Sequence, residues 1–194
     1  MTLAEKLMPT KPNQLIWPSK AIRKKMMDIA EGRAMDHLLL HGLPGTGKTT
    51  AADILAHHYV ENAQMLAQVV KLSTLNTGVE AIKSLAQSVS LVGHRAIIIN
   101  EVDNLSTEAQ NRLRTVMDDA GDTARFFFTT NYLQNLNPAI VSRCFCVKWE
   151  YPPAAMMAFA KFANEREGLG WSDTDLSEFV KRSGTDLRQL IRQM

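Results

Sequence analysis

Cysteine is scarce: Cys144 and Cys146 share a single C-x-C, with no second pair and no neighbouring group of histidines. A disulfide framework needs more partners and a structural zinc more ligands, so both are excluded and a reducing, cytoplasmic setting is expected. Long apolar runs are missing as well. No stretch approaches the ~20 residues that a membrane-spanning helix needs, and the chain does not open on a charged segment followed by an apolar one. A soluble, unexported protein with no membrane partner is therefore expected. Nor is there an excess of one charge. The net charge is +2; residues 1–33 carry seven Lys/Arg against three Asp/Glu (7 − 3 = +4), which leaves the rest at 15 against 17 (15 − 17 = −2). So slight a bias gives no bulk attraction for nucleic acid, which would have to be held by individually placed contacts. Internal repeats and low-complexity tracts are absent too.

What is present is an alternation of strand and helix patterns. The 194 residues, 45% hydrophobic and 22% charged, suffice for one sizeable core plus a small satellite domain. Residues 1–19 read as irregular, since Pro9, Pro12 and Pro18 break any helix, and Ser19 then caps an amphipathic helix to about Gly32. Strands are expected in HLLLHG (37–42), AQVVKLS, RAIII, RFFFTTN and FCVKW. Helices are expected in KTTAADILAHHYVEN, VEAIKSLAQSVS and TEAQNRLRTVMDDAG, the last closed by Gly121. The fold class expected is α/β, a largely parallel sheet covered by helices on both faces. After Pro152-Pro153 the strands stop, and helices at about 153–167, 172–182 and 185–194 suggest a domain boundary between 1–150 and an all-helical 151–194.

GLPGTGKT, Gly42 to Thr49, satisfies G-x-x-x-x-G-K-[ST] at every required position. The N–H groups of Gly45, Thr46 and Gly47 lie at the positive end of the following helix and can wrap phosphates, because glycine removes side chains from the approach. With Gly42, Pro44 and Thr50 they complete the expected nucleotide contacts. Lys48 brings a point charge to the β- and γ-phosphates, and the Thr49 hydroxyl can ligate Mg²⁺, so ATP and Mg²⁺ are the expected ligands. A glycine-rich hairpin can meet the pattern by accident, but not with a strand before it and a helix after it.

AIIINEVD, about fifty residues downstream, is an apolar run ending in polar groups. Alone it reads as a core strand entering a turn. Beside a phosphate loop it reads as the strand whose carboxyl end presents acids to the nucleotide. Glu101 can then orient and deprotonate the attacking water. Asp103 is free to cap the following helix or contact a neighbour.

At these residues the chain begins to resemble the AAA+ ATPases, and among them the sliding-clamp loaders of the replication factor C type. The resemblance implies a P-loop AAA+ sheet followed by a small helical lid domain. The family carries Asp-Glu-x-Asp where this chain has Asn100-Glu101-Val102-Asp103. Asn100 thus stands at the magnesium-supporting position as an amide, which implies weaker Mg²⁺ binding, by about 10–100-fold, in an enzyme that is slowed and not silenced. FFFTTNY resembles the sensor-1 strand, with Asn131 at the position that holds the γ-phosphate or the lytic water; alone, Asn131 is a turn residue. NPAIVSRC resembles the clamp-loader signature in which Arg143 reaches into the next subunit's ATP site; alone, Arg143 is a solvated arginine. SGTDLRQL resembles sensor 2, with Arg188 directed at the γ-phosphate of its own nucleotide; alone, Arg188 is an exposed helical residue. EKLMPTKPNQLIWP resembles the family segment that lies by the adenine, with Leu7 and Met8 replacing Tyr and Arg.

The resemblance also implies partners: other clamp-loader subunits in a homo- or hetero-oligomer, a sliding clamp, and primer-template DNA gripped by helix N-termini. Those helices would start after LSTLNTG (72–78) and after NLST (104–107), where Ser106 and Thr77 can equally serve as simple caps. The helical collar of such loaders is absent from these residues, as expected of a fragment or of a short subunit. The function implied is an ATPase subunit that opens a clamp and places it on DNA. An ATP-binding scaffold that lends Arg143 to a neighbour is the non-enzymatic alternative, and a helicase loader or similar AAA+ remodeller is a third.

Overall fold

The computed structural model describes residues 1–63, 67–72, 82 and 94–194. Five parallel strands form one sheet: β1 (His37–His41), β2 (Ala67–Leu72), β3 (His94–Ile99), β4 (Ala124–Thr130) and β5 (Cys144–Lys148), ordered β2-β3-β4-β1-β5. Every neighbouring pair is parallel, as crossover helices require. Helices α1 (Leu3–Lys6), α2 (Lys20–Ala30), α3 (Lys48–Asn62), α4 (Thr107–Ala120), α5 (Pro138–Val141), α6 (Pro153–Glu167), α7 (Asp173–Ser183) and α8 (Leu187–Gln193) accompany it. No helix among the described residues is long and apolar enough to cross a membrane.

Alternation along each strand sorts the core into two faces. Leu38, Leu40, Ile98, Phe127 and Val147 pack against α2 and α3, joined by Met156, Ala160, Leu176, Val180 and Leu190 of the last three helices. Leu39, Ile97, Ile99, Phe126 and Phe128 face α4, through Ala109, Leu113, Val116 and Met117, and also meet Ile82. The sheet is therefore covered on both sides. Strands do end at the boundary read from the sequence, yet the apolar cluster runs on across it into 151–194. The helix expected over VEAIKSLAQSVS lies outside the described residues except for Ile82.

Two local differences from the sequence reading have local causes. Residues 1–19 are not wholly irregular: Thr2 and Glu5 form a capping box, the Thr2 hydroxyl accepting from Glu5 N and the Glu5 carboxylate from Thr2 N, and this supports the single turn of α1. A second single turn, α5, is started by Pro138 and capped by Asn137.

His37 opens β1 with its ring edge-on to Phe126, centroids 4.9 Å apart, and its Nδ1 accepts from Phe126 N at 3.4 Å. Burial, and next the positive charge of Arg125, push its pKa from 6.5 down to about 4. The folded chain thus keeps His37 neutral while the unfolded chain protonates it below pH ~6.5. Its contribution to stability is complete above that pH and is lost as the pH falls from 6.5 towards 4, by roughly 3 kcal/mol at most. Urea midpoints at pH 7 and pH 5 should differ more for the natural chain than for His37→Gln. Equal differences would contradict this.

Candidate functional site

Register brings the site together. His41 of β1 lies beside Thr130 of β4, and Ile99 of β3 beside Phe128 of β4, so the residues that follow these three strands emerge on one edge of the sheet. This is the carboxyl edge, where open α/β sheets take ligands.

After β1 the chain turns through Gly42–Gly47 into α3. Gly42 at φ +140° puts its missing Cβ against the Trp149 carbonyl, and Gly45 at φ +78° puts its own into the Asp186 carboxylate. Any side chain at either point would be strained by the backbone; at Gly45 it would also collide with the carboxylate, and at Gly42 it would crowd the carbonyl. The loop is fastened from behind by aromatic residues. Trp149 Nε1 and Tyr151 Oη both donate to the Thr46 carbonyl, at 3.0 and 2.8 Å, and Trp149 N donates to His41 O at 2.7 Å. The Thr46 hydroxyl turns inward to Leu43 O at 3.0 Å and the residue is fully buried, so Thr46 supports the loop from within; it and Gly42, both expected among the nucleotide contacts, do not line the cleft over the loop. Lys48 opens α3 with its ammonium folded onto the loop, donating to Gly42 O at 2.9 Å and Leu43 O at 2.7 Å. Burial lowers its pKa, the charges of Asp103 and Glu101 oppose that, and Arg188 adds to the lowering.

A cleft of about 160 Å³ opens over this loop. Pro44, Gly45, Gly47, Lys48, Thr49 and Thr50 of the loop and α3 line it together with Glu101, Thr129, Thr130, Asn131 and Arg188. Five residues expected from four separate stretches of sequence, Lys48 and Thr49 from one and Glu101, Asn131 and Arg188 from the others, thus share one space.

Glu101 reaches it by a bend in the backbone. At φ +52° it is the one non-glycine residue with positive φ among those described. Its N–H donates to Thr129 Oγ1 at 3.1 Å, and its Oε2 accepts from Asn104 Nδ2 at 3.1 Å. Asn100 does not line the cleft. Its Oδ1 accepts from the Thr129 hydroxyl at 3.1 Å, so the amide stands behind Thr129. Asp103 does not cap α4, a role taken by Ser106 through Ala109 N. One Asp103 oxygen is shut off from solvent with no hydrogen-bond partner.

Helix α8 touches the loop directly. Asp186 caps it by accepting from Gln189 N at 2.9 Å, and Arg188 N donates to Gly45 O at 3.2 Å. Helix α1 fastens to α6: Lys6 pairs with Glu167 at 2.9 Å, and Arg166 Nη2 donates to Lys6 O at 2.8 Å. Pro18 and Tyr151, with Val180 and Gly184, border a wider groove of about 560 Å³.

Arg143 stands apart. It precedes Cys144, which pairs with His37 at the start of β1, whereas the phosphate loop follows His41 at the other end. That difference is about 13 Å of strand, and the cleft lies beyond it. Arg143 is at the surface, its side chain 32% exposed, bonded to Asp118 and unable to reach its own cleft. Cys144 beside it is held by burial as a neutral thiol donating to Ile140 O at 3.3 Å.

Sequence reasoning did not find Trp149, Tyr151, Asp186, Thr129 or Asp118. The W-x-Y after the last strand was the one available signal, since two large aromatics on the same side of an extended segment at the sheet's ligand edge need something to cover. The proposed DNA-facing stretch 73–78, with Thr77, lies outside the described residues. At the other such helix, α4, the Ser106 hydroxyl is engaged as the cap.

Residues 38–149 match the family model described as "ATPase family associated with various cellular activities (AAA)". Replication factor C subunit 4 of Caenorhabditis elegans is 30% identical over 207 residues, covering 93% of this chain and 62% of that protein. Replication factor C small subunit 1 of Pyrobaculum aerophilum is 29% identical over 178 residues, with coverages of 88% and 54%. The chain thus spans somewhat over half the length of these curated relatives. Among solved structures, the Thermotoga maritima RuvB Holliday junction branch migration motor superposes with a TM-score of 0.73 at 23% identity, covering 96% of this chain and 63% of that one. At that identity the likeness concerns the fold.

Proposed function

The chain belongs to the AAA family of ATPases, and from that premise we propose that it is an ATPase subunit of a DNA sliding-clamp loader. In this reading ATP occupies the cleft, a neighbouring subunit completes the site, and the chemistry drives the opening and placement of a clamp on primer-template DNA. A second arrangement supports the assembly: residues 151–194 act as a lid that closes through the contact of Arg188 and Asp186 with Gly45. The single observation that carries the reading is the gathering of Lys48, Thr49, Glu101, Asn131 and Arg188 around one cleft while Arg143 sits at the opposite end of the sheet.

The donor set fits a magnesium triphosphate. Two cations, a helix start and glycines shaped for close approach suit the phosphates, and the one carboxylate on the cleft wall, Glu101, is across from them. Lys48 would leave the loop carbonyls for the phosphate oxygens, which takes little rearrangement because its ammonium already hangs over the loop. Arg188 would bind the terminal phosphate from the lid. Asn131 would orient the attacking water, and Glu101 would take its proton at a carboxylate oxygen once free of Asn104. Thr49 would hold the Mg²⁺, which when bound offsets the charge on the phosphate oxygens. The groove by Pro18 and Tyr151 would take the base.

Asn100 favours the scaffold alternative to the extent that it weakens the metal. Its amide accepts from Thr129 and can lend only a neutral oxygen towards a water of the metal. Asn100→Asp is therefore expected to lower the Mg²⁺ concentration for half-maximal turnover by about 10-fold. An unchanged requirement would separate Asn100 from the metal. ATP binding without turnover, with or without primed DNA and clamp, would support the scaffold, and stimulation by a helicase instead would support a different remodeller.

A further inference from the structure

Arg143 is not left to swing in solvent. Its Nε donates to Asp118 Oδ1 at 2.6 Å and its Nη2 to Asp118 Oδ2 at 3.0 Å, a fork meeting a fork, while Nη1 donates to the Ala139 carbonyl at 2.6 Å. Three N–H groups of the guanidinium are thus engaged, and of its roughly five the remainder have no partner among the described residues. Asp118 is 25 positions away in sequence, on α4, so the pair ties that helix to the turn between α5 and β5.

Fold stability accounts poorly for a carboxylate at this place. Neither side chain is buried, Arg143 being 32% and Asp118 45% exposed, and ion pairs at the surface contribute little. Asp118 also stands in the last turn of α4, which holds no basic residue and where the helix dipole disfavours negative charge. Its partner outside the helix answers that: the hydrogen bond from Arg143 is the first reason its carboxyl is held below the usual range. What the geometry does supply is direction. A bidentate carboxylate fixes the plane of a guanidinium that would otherwise rotate about several single bonds.

We propose that Asp118 is the positioning residue for Arg143 in the trans reaction, its two oxygens holding the guanidinium so that the unused N–H edge faces out of the subunit towards a neighbour's terminal phosphate. This rests on Arg143 acting in trans, as set out above. Asp118 itself touches neither the nucleotide nor the water. Its contribution is pre-organisation: the arginine arrives already oriented, and less freedom is lost on reaching the phosphate.

Steady-state ATP turnover of the assembled full chain tests this, using Asp118→Asn, Asp118→Glu, Arg143→Ala and the double variant Asp118→Asn/Arg143→Ala. Asp118→Asn should lower kcat by about 10–100-fold with KM for ATP unchanged, because the amide can accept at one oxygen only. Asp118→Glu should restore most of the loss, and Asp118→Asn should cost nothing further once Arg143 is gone. A rise in kcat for Asp118→Asn would overturn the proposal by making the carboxylate a restraint on the arginine. An equal loss with and without Arg143 would overturn it by making Asp118 merely structural, as would a loss matched by a lower melting temperature that Asp118→Glu does not repair. If Arg143→Ala leaves kcat intact, it is the trans reading that fails. If Arg143→Ala is costly and Asp118→Asn is not, the role given to Asp118 alone fails.

Discussion

Arg143→Ala is expected to lower ATP turnover of assembled subunits by roughly 10³–10⁵-fold, while the affinity of an isolated subunit for ATP stays as it was. The size follows from what the guanidinium would do. Negative charge spreads over the terminal phosphate in the transition state, and a cation present only when two subunits meet stabilises that state more than the ground state. Unaltered affinity follows from position. Arg143 immediately precedes β5, whose first residue Cys144 pairs with His37 at the end of the sheet away from its own phosphate loop, so its loss removes nothing from the cleft of its own subunit. ATP titration of the single subunit and turnover at high subunit concentration separate the two effects. A large loss of affinity in the isolated subunit would contradict this.

The second large effect belongs to Glu101. Glu101→Gln keeps the shape of the side chain and its acceptor for Asn104 but removes the carboxylate proposed as the base, and turnover is expected to fall by about 10²–10⁴-fold. ATP binding should persist or tighten, because a charge across from the phosphates is gone. Glu101 holds a left-handed backbone conformation that costs energy in any residue but glycine, asparagine or aspartate, and such strain survives where its surroundings enforce it. The bond from its N–H to Thr129 supplies that enforcement. An undiminished turnover in Glu101→Gln would remove Glu101 from the chemistry.

How much of this could be read before the structure depends on the range of each interaction. α3 runs from Lys48 to Asn62, the stretch read from the sequence, because a phosphate-loop motif fixes where the helix starts. The strands were legible because apolar runs bounded by polar turns have few alternatives. The back of the loop was not legible. Trp149 meets Thr46 across 103 residues, and nothing local in either sequence announces the other. Asp186 and Gly45 show the same limit, since the glycine looks necessary for its backbone angle alone until the carboxylate above it is seen. Arg143 and Asp118 are intermediate. The arginine was found through the family signature, whereas its partner lay unnoticed in a helix whose apolar periodicity explained everything except the two acids, Asp118 and Asp119, in the final turn. Asn100 was recognised as an amide where a carboxylate is usual, but its bond to Thr129 needed the parallel register of β3 and β4. The capping box of Thr2 and Glu5 was a local signal, obscured by the prolines that follow it.

The central claim is that one subunit's cleft is completed by the next subunit's arginine. Mixing Arg143→Ala with Glu101→Gln tests it most directly, because each variant retains what the other lacks. Where an Arg143→Ala subunit receives the intact arginine of a Glu101→Gln neighbour, a complete site is restored, so turnover of the mixture should exceed the sum of the two variants measured separately. A mixture that turns over no faster than that sum, under conditions where the subunits are assembled, would contradict it.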